Sequence, residues 1–553
     1  MDELDDFSEK FSENDSVAKY WPRKDSPPRK TQEIALDWIS KLPADKKYIL
    51  CELPVGSGKS DFSINYSGWL TKSFGNSFIL TPQKILQKQY EDSFAPHLIG
   101  SLMGKGNYEC KFKNTNCDIG SDIKPDCYSG NCPAKIAKEH ALASPNMVLN
   151  YTLALLLFKY ADKRKFPSRK LMILDECHTL ENHLTEFNAV SITEYRCKKI
   201  GVNYKSHKTI ERALEWIEAE YYNAVSKKLS EYVRIADAIN AEIEFAPRKL
   251  TKDEQSVFKN AKELTEHAEA LDFILRYSIE ELNEQFVVVQ DGNKGWKFKE
   301  LFGGRVFHSL VKPMADKFLF MSSTILHSEN FCKNIGINPN EAAFLSLPSE
   351  FPVDNRPIVL DPVCKLNYEF FEDKNYSNRQ NLVVKVKEIL DQHGEDSGII
   401  HTSSFKFAEW LVNELGGIVE HTILHHNPSV KNGTSRDMVI DEYLRVASTS
   451  PTILVSPSIT EGLDLVGPLG KFAIFIKVPF PNMQDSWVKR RMELSREWYN
   501  RQAFTSIIQG GGRIVRSRDD EGIVYILDAS FDYLFNQMKD RVPEWWSDSL
   551  IRI

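Results

Sequence analysis

The sequence predicts an α/β protein with two parallel-sheet units, and three observations carry that prediction. Short apolar runs, each about the length of one strand, alternate with helix-favouring stretches. The runs fall into two groups, one before about residue 180 and one after about 315. Between the groups the chain changes character and reads as charged and helix-favouring. At about 150 residues per domain, three or four domains are expected from 553 residues.

Residues 1–19 are rich in Asp, Glu and Ser and read as a solvated tail. After Pro27 and Pro28, the first group of runs is Tyr48–Leu53, Ser77–Leu80, Leu171–Leu174 and Phe318–Met321. The second is Gly398–Ile400, Thr452–Val455, Phe472–Val478 and Gly522–Leu527. Runs this short and this apolar suit strands covered on both faces. In Ile210–Glu244, the apolar Leu214, Ile217, Tyr221 and Val225 recur at helical spacing, and Asn260–Gln285 is similar. The span 181–315 is therefore expected to be a mainly helical insertion. No internal repeat or low-complexity tract is evident.

Composition narrows the class. Seventy basic against 77 acidic residues leave −7, which excludes a globally basic DNA-coating protein but not a local basic groove. Nine cysteines are too few for a disulfide scaffold of this length. The start, MDELDDFSEK, lacks the basic and apolar regions of a secretory signal. The longest apolar stretch, Met147–Phe158, is shorter than a membrane span and is interrupted by Asn150, Tyr151 and Thr152. A soluble, intracellular protein with reduced thiols and no membrane partner is expected.

Two stretches point to triphosphate chemistry. Pro54-Val55-Gly56-Ser57-Gly58-Lys59-Ser60 follows an apolar run and precedes a helix-like segment. Backbone N–H groups can turn inward around phosphates only where side chains do not obstruct, hence Gly56 and Gly58. Lys59 can reach the β- and γ-phosphates, and the Ser60 hydroxyl can ligate Mg²⁺. Leu53 stands where the general pattern has its first glycine. Met172–Leu174 then runs into Asp175-Glu176-Cys177-His178. Asp175 would hold Mg²⁺, and Glu176 would orient or deprotonate the attacking water. Near the C-terminus, Gln509-Gly510-Gly511-Gly512-Arg513-Ile514-Val515-Arg516 offers two arginines three apart. That spacing places them on one helix face, from which both could meet developing phosphoryl charge, with Gln509 contacting the γ-phosphate or its water.

Four cysteines, Cys110, Cys117, Cys127 and Cys132, lie within 23 residues, where an even spread of nine would place about 0.4. Four thiolates suit zinc or an iron–sulfur cluster, and a reducing context disfavours a disulfide. The gaps of six, nine and four lack the C-x₂-C knuckle usual for zinc, and Cys132-Pro133 echoes the ending of many cluster sites. Around them Lys105, Lys111, Lys113 and Lys124 interleave with Tyr108, Phe112 and Tyr128, a mixture that can track phosphates and stack on unpaired bases.

Taken in order, these motifs resemble a superfamily 2 helicase, more narrowly the XPD/DinG branch, over roughly residues 28–530. Gln32 resembles the adenine-reading Q motif, Lys59 and Ser60 motif I, and Thr81-Pro82-Gln83 motif Ia. Asp175–His178 is similar to the DEAH box, here as DECH, and Ser322-Ser323-Thr324 resembles motif III. His401-Thr402-Ser403-Ser404 resembles motif IV, Glu461-Gly462-Leu463-Asp464 motif V, and Gln509–Arg516 motif VI. Asn150-Tyr151 matches a nucleic-acid-proximal position of the branch.

The resemblance implies two RecA-like motor domains, with a cysteine-cluster insertion and a helical arch insertion in the first. The expected boundaries are the tail at 1–19, the first domain at 20–104, 141–180 and 316–350, the cluster at 105–140, the arch at 181–315 and the second domain at 351–553. It further implies a [4Fe–4S] cluster on the four cysteines, with zinc the alternative. ATP would bind at Gln32, Pro54–Ser60 and Asp464, and Mg²⁺ at Ser60 and Asp175. Nucleic-acid contacts are implied for Thr81, Gln83, Tyr108, Lys111, Asn150, Tyr151, Thr402, Ser403 and Glu461. The implied activity is ATP-driven 5′→3′ translocation on single-stranded or forked DNA by a monomer. The implied location is cytoplasmic or nucleoid-associated, or a host cell if the source is viral. An ATP-driven translocase or remodeller, and a nucleotide-dependent clamp stapled by zinc, are the rival readings.

Overall fold

The computed structural model describes residues 17–23, 25–110, 115–117, 131–246, 248, 250–292, 294–426, 435–457 and 465–553. In chain order its first strands are β1 (Tyr48–Glu52), β2 (Ser77–Thr81), β3 (Ile99–Ser101), β4 (Glu109–Cys110), β5 (Thr115–Asn116), β6 (Asn146–Asn150) and β7 (Arg169–Asp175). Next come β8 (Val190–Thr193), β9 (Phe286–Gln290), β10 (Gly295–Glu300), β11 (Ala315–Ser322) and β12 (Ala342–Ser346). The last are β13 (Ile358–Cys364), β14 (Gly398–His401), β15 (Thr422–His425), β16 (Thr452–Ser456), β17 (Phe472–Phe475), β18 (Ile523–Asp528) and β19 (Leu550–Arg552).

Two seven-stranded parallel sheets carry the fold. The first runs β12-β1-β11-β7-β2-β6-β3 and the second β15-β16-β14-β17-β18-β13-β19. All eight apolar runs expected as strands are strands, and they occupy interior positions in the two sheets. Covering on both faces explains their composition. Tyr48 and Leu50 enter one core and Ile49 and Cys51 another, so alternate residues of β1 feed layers on opposite sides. Ile399 and Ile400 of β14 divide likewise between two cores of the second sheet. The apolar stretch from Met147 breaks at Asn150, whose side chain accepts the Leu153 N–H at 2.9 Å and caps the helix Tyr151–Tyr160.

The span between the two groups of runs differs from a purely helical insertion. Its helices Tyr222–Phe245 and Lys252–Leu275 pack on one another, and Leu214, Ile217, Tyr221 and Val225 are buried as their spacing predicts. At its base, however, lies a three-stranded antiparallel sheet, β8-β10-β9. Gly292 turns between β9 and β10 with φ +62°, the left-handed conformation that suits a hairpin. The chain passes from the first sheet to the second once, between β12 and β13. That crossing is fastened to the first domain: the Thr31 N–H and Oγ1 both donate to Glu350 Oε1, at 2.7 and 2.5 Å.

Candidate nucleotide site and interdomain cleft

β1 ends at Glu52 and the chain turns through Leu53–Gly58 into the helix Lys59–Thr71. Gly56 and Gly58 both take φ +74°, a conformation costly for any residue with a Cβ. Space forbids one as well. A Cβ on Gly56 would lie 2.5 Å from Phe351 Cζ and 2.6 Å from the Arg516 carbonyl oxygen, and one on Gly58 would collide with Gln32 Nε2. The loop thus presents backbone at the N-terminus of a helix, an arrangement suited to anions. Gln32 is buried and holds the loop from behind. Its Nε2 donates to the Gly58 carbonyl at 2.9 Å, and its Oε1 accepts the Arg29 N–H at 2.8 Å. Arg29 Nη1 donates to the Gly56 carbonyl.

The acidic pair lies at the end of β7, the second strand over from β1. Glu176 takes φ +47°, strained for a non-glycine residue. The surrounding bonds hold it there: Thr179 N and Oγ1 donate to its carbonyl at 3.1 and 2.9 Å. Its carboxylate lies 3.3 Å from Lys59 Nζ and 3.4 Å from His178 Nδ1. Burial pushes the Glu176 carboxyl up, but Lys59, His178 and Arg513 outweigh it and hold the group below the usual range. Asp175 moves the other way, up to about 6, through burial and the adjacent Glu176 charge. Its Oδ2 accepts from Tyr90 OH at 3.2 Å and its Oδ1 from the Glu176 N–H at 3.0 Å. Glu176 is therefore the charged acceptor of the pair. Asp175, buried beside another carboxylate, is the group whose ionised form a nearby cation would favour.

The second domain closes the site. Its helix Arg496–Gly511 carries Gln509, whose Nε2 donates to Ser323 Oγ and Thr324 Oγ1, both at 3.0 Å. Thr324 Oγ1 is 3.2 Å from Ser322 Oγ, which in turn is 2.9 Å from His178 Nδ1. A polar chain thus runs from Glu176 through β11 to the second domain. Arg513 and Arg516 lie beyond the end of that helix, not on one of its faces as the spacing predicts. Gly510–Gly512 explain the difference. They let the helix end press close, and a Cβ on Gly512 would lie 2.8 Å from Val55 Cγ2. Both arginines nevertheless line one cavity with Val55, Lys59, Glu176 and Gln509.

The remaining expected residues are more scattered. Thr81 is buried at the end of β2, with Oγ1 donating to the Gln83 carbonyl at 3.2 Å, and Gln83 borders the cleft. Tyr108 is half-buried, its hydroxyl accepting the Met103 N–H at 2.9 Å. Tyr151 corrects its expected role as a nucleic-acid contact. It is 1% exposed, and its hydroxyl donates to the Asp175 carbonyl at 2.9 Å, making it a strut beneath the acidic pair. Asn150 caps the same helix and is partly exposed. Thr402 is buried and Ser403 exposed after β14. Lys111, Cys127, Glu461 and Asp464 lie outside the described residues. Cys110 and Cys132 are buried and Cys117 partly so; the Cys117 N–H donates to the Tyr108 carbonyl at 2.7 Å. Among the described residues no three His, Cys, Asp or Glu side chains are grouped closely enough to hold a metal ion. Tyr90 and Arg29 support the site without any motif that would have marked them.

Comparison with known proteins agrees with this geometry. Residues 387–549 match the family described as helicase C-terminal domain, and residues 25–211 match type III restriction enzyme, res subunit. A probable ATP-dependent helicase of Methanocaldococcus jannaschii is 21% identical, the alignment covering 93% of each chain. The ATP-dependent DNA helicase YoaA of Escherichia coli is 24% identical over 40% of this chain and 34% of its own length. A solved structure titled XPD helicase superposes with a TM-score of 0.59 at 16% identity, covering 95% of this chain and 99% of that one.

Proposed function

We propose that this chain, similar over most of its length to an ATP-dependent helicase, is an ATP-dependent DNA helicase of the XPD/DinG-like branch of superfamily 2. It would translocate 5′→3′ along single-stranded DNA and couple ATP hydrolysis to duplex unwinding. One observation carries the reading: Lys59 at the end of the glycine loop, Glu176 of the acidic pair and the two arginines line one cavity between two parallel-sheet domains.

In this reading the triphosphate lies on Pro54–Ser60 with Lys59 at the β- and γ-phosphates. Lys59 then exchanges its 3.3 Å contact with Glu176 for phosphate, which leaves Glu176 to accept a proton from the attacking water. Arg513 and Arg516 meet the charge that develops as the terminal phosphoryl group leaves, in a site already arranged to receive it. Gln509 reports domain closure to Ser323 and Thr324 through its two hydrogen bonds. Ser60 and Asp175 would hold Mg²⁺, which when bound neutralises charge on the phosphates. Asp464 of motif V, and Gln32 holding the glycine loop, complete the proposed ATP contacts.

The nucleic-acid track would be formed by Gln83, Asn150, Ser403 and Glu461, with Tyr108 and Lys111 at the cluster; Thr81 and Thr402, buried like Tyr151, would shape it from beneath. Contacts of this kind go to the sugar–phosphate backbone, so affinity should fall steeply with salt. Cys110, Cys117, Cys127 and Cys132 are proposed to hold a [4Fe–4S] cluster, with zinc as the alternative. Support comes from the packing of β4, which ends at Cys110, against the helix Pro133–Ala143, whose N-cap is Cys132. Iron and sulfide analysis after anaerobic purification tests this, and stoichiometric zinc without iron would replace it.

Lys59→Ala should abolish ATP turnover while single-stranded DNA is still bound. Wild-type turnover in that variant would sink the site. Tailed duplexes of each polarity test direction, and ATPase stimulation by single-stranded DNA against RNA tests the substrate. Stimulated turnover without strand separation would favour the translocase reading.

A further inference from the structure

Outside the nucleotide cleft, a buried charge cluster joins three parts of the molecule at Glu181. This residue lies in the first turn of the helix Leu180–Phe187, three positions after His178. Its Oε1 accepts Arg491 Nη2 at 2.5 Å, and its Oε2 accepts Trp498 Nε1 at 3.1 Å and lies 3.8 Å from Arg501 Nη2. Arg491 and Glu181 are 1% and 6% exposed, so water does not screen the pair. Arg491 Nη2 also donates to Asn334 Oδ1 at 3.0 Å. Its guanidinium carbon sits 4.3 Å from the Phe302 ring centroid and 4.8 Å from that of Trp498. A flat fork stacked between rings while bridging two acceptors is a site for arginine, not lysine.

The same helices reach further. Trp487, one turn before Arg491, donates Nε1 to the Glu300 carbonyl of β10 at 2.7 Å, and Ser486 Oγ donates to the Val288 carbonyl of β9 at 2.7 Å. Lys299 of β10 lies over the Trp487 ring, 4.3 Å from its centroid, and is 3.2 Å from Glu186. Glu186 is on the helix that carries Glu181. Trp498 and Arg501 begin the helix Arg496–Gly511, whose other end presents Gln509 and leads to Arg513. At 1.5 Å per residue its 16 residues form a rod about 24 Å long. The second domain therefore grips the first twice, at Ser323 and Thr324 through Gln509, next to the Ser322 that His178 contacts, and at Glu181 through Arg491.

We propose that Arg491 is a positioning residue: by holding Glu181 it sets the helix that follows the acidic pair, and passes closure of the second domain to both Glu176 and the base of the helical insertion. The proposal rests on the ATPase reading above. It assigns Arg491 no contact with nucleotide. Its role is to make nucleic-acid-promoted closure effective at the acidic pair.

The test compares ATP turnover of the full chain with and without single-stranded oligo(dT), since the ratio of the two rates does not depend on the fraction of molecules that folded. Arg491→Lys keeps the charge and loses the stacked fork. It should reduce the stimulation ratio about tenfold while the KM for ATP stays within about twofold. Arg491→Met and Glu181→Gln break the same tie, so the double variant should be no worse than the worse single one. Wild-type stimulation in a cooperatively unfolding Arg491→Lys protein would overturn the proposal, as would additive losses in the double variant. If Arg491→Met does not fold, Arg491→Lys alone decides. A wild-type protein not stimulated by oligo(dT) would overturn the proposed function first, and this inference with it.

Discussion

Replacing Gly56 by alanine adds one methyl group where Phe351 and the Arg516 carbonyl press on the phosphate loop. Two costs follow. The φ of +74° is retained by the loop, and a left-handed alanine costs about 1–2 kcal/mol. The new Cβ would also stand 2.6 Å from the Arg516 carbonyl, against 3.4 Å for ordinary contact. Phe351, at 2.5 Å, can swing its ring aside, but a backbone carbonyl of the opposing domain cannot. The domains must part by about 0.8 Å there, the difference between those distances. A misplacement near 1 Å costs about 100-fold in rate, so kcat for ATP should fall by about two orders of magnitude.

Gly292→Ala supplies the control. Its φ is +62°, yet nothing lies within 4 Å of the added Cβ. That variant should show the backbone strain alone, about 1 kcal/mol in a denaturant titration, with ATP turnover unchanged. The measurements are steady-state ATPase and equilibrium unfolding on the three proteins in parallel. Equal turnover in Gly56→Ala and Gly292→Ala would refute the claim that the closed cleft of this structure is the hydrolysing one.

Three further outcomes are expected. Glu176→Gln should lower turnover about 10²–10⁴-fold while a fluorescent ATP analogue still binds; loss of binding instead would mean that Glu176 is structural. Tyr151→Phe should reduce stability by about 1 kcal/mol by removing the bond to the Asp175 carbonyl, and leave the affinity for single-stranded DNA intact; a large affinity loss would return Tyr151 to the track. His267 is held down to about 3 by burial and by Arg196, from an ordinary 6.5, so the folded state stays unprotonated where the unfolded chain takes up a proton. Stability should therefore be full above pH 6.5 and fall as pH drops toward 3, by about 2 kcal/mol between pH 7 and 5. The pH slope of unfolding should flatten in His267→Asn, and an unchanged slope would exclude this histidine as its source.

Eight of the ten interior strands were legible because parallel strands covered on both faces are mostly apolar and buried from end to end, as β1 and β16 are; β6 and β13 were not. Edge strands carry no such mark. β12 and β15 are only partly buried, and their short runs, Ala342–Ser346 and Thr422–His425, do not stand out from the chain around them. The phosphate loop and acidic pair were legible because their chemistry is local, fixed by residues within one turn of each other. Arg513 and Arg516 were legible as residues but not as geometry, since spacing of three suggests a helix that Gly510–Gly512 end. Tyr151 was misplaced because a helix N-terminus can send one of two adjacent polar residues inward, and only the Asp175 carbonyl decides which. The Glu181–Arg491 bond joins residues 310 apart, and no local pattern announces it.

The single crossing between the sheets is pinned beside the phosphate loop, with Glu350 bonded to Thr31 and Phe351 resting against Gly56. A joint so placed acts as a fulcrum at the nucleotide. Any rotation of one sheet against the other leaves atoms near Gly56 almost stationary, while displacement grows with distance from the pivot. In the proposed motor, phosphate contacts would then stay tight through a stroke whose travel is spent elsewhere, at the far ends of the two sheets.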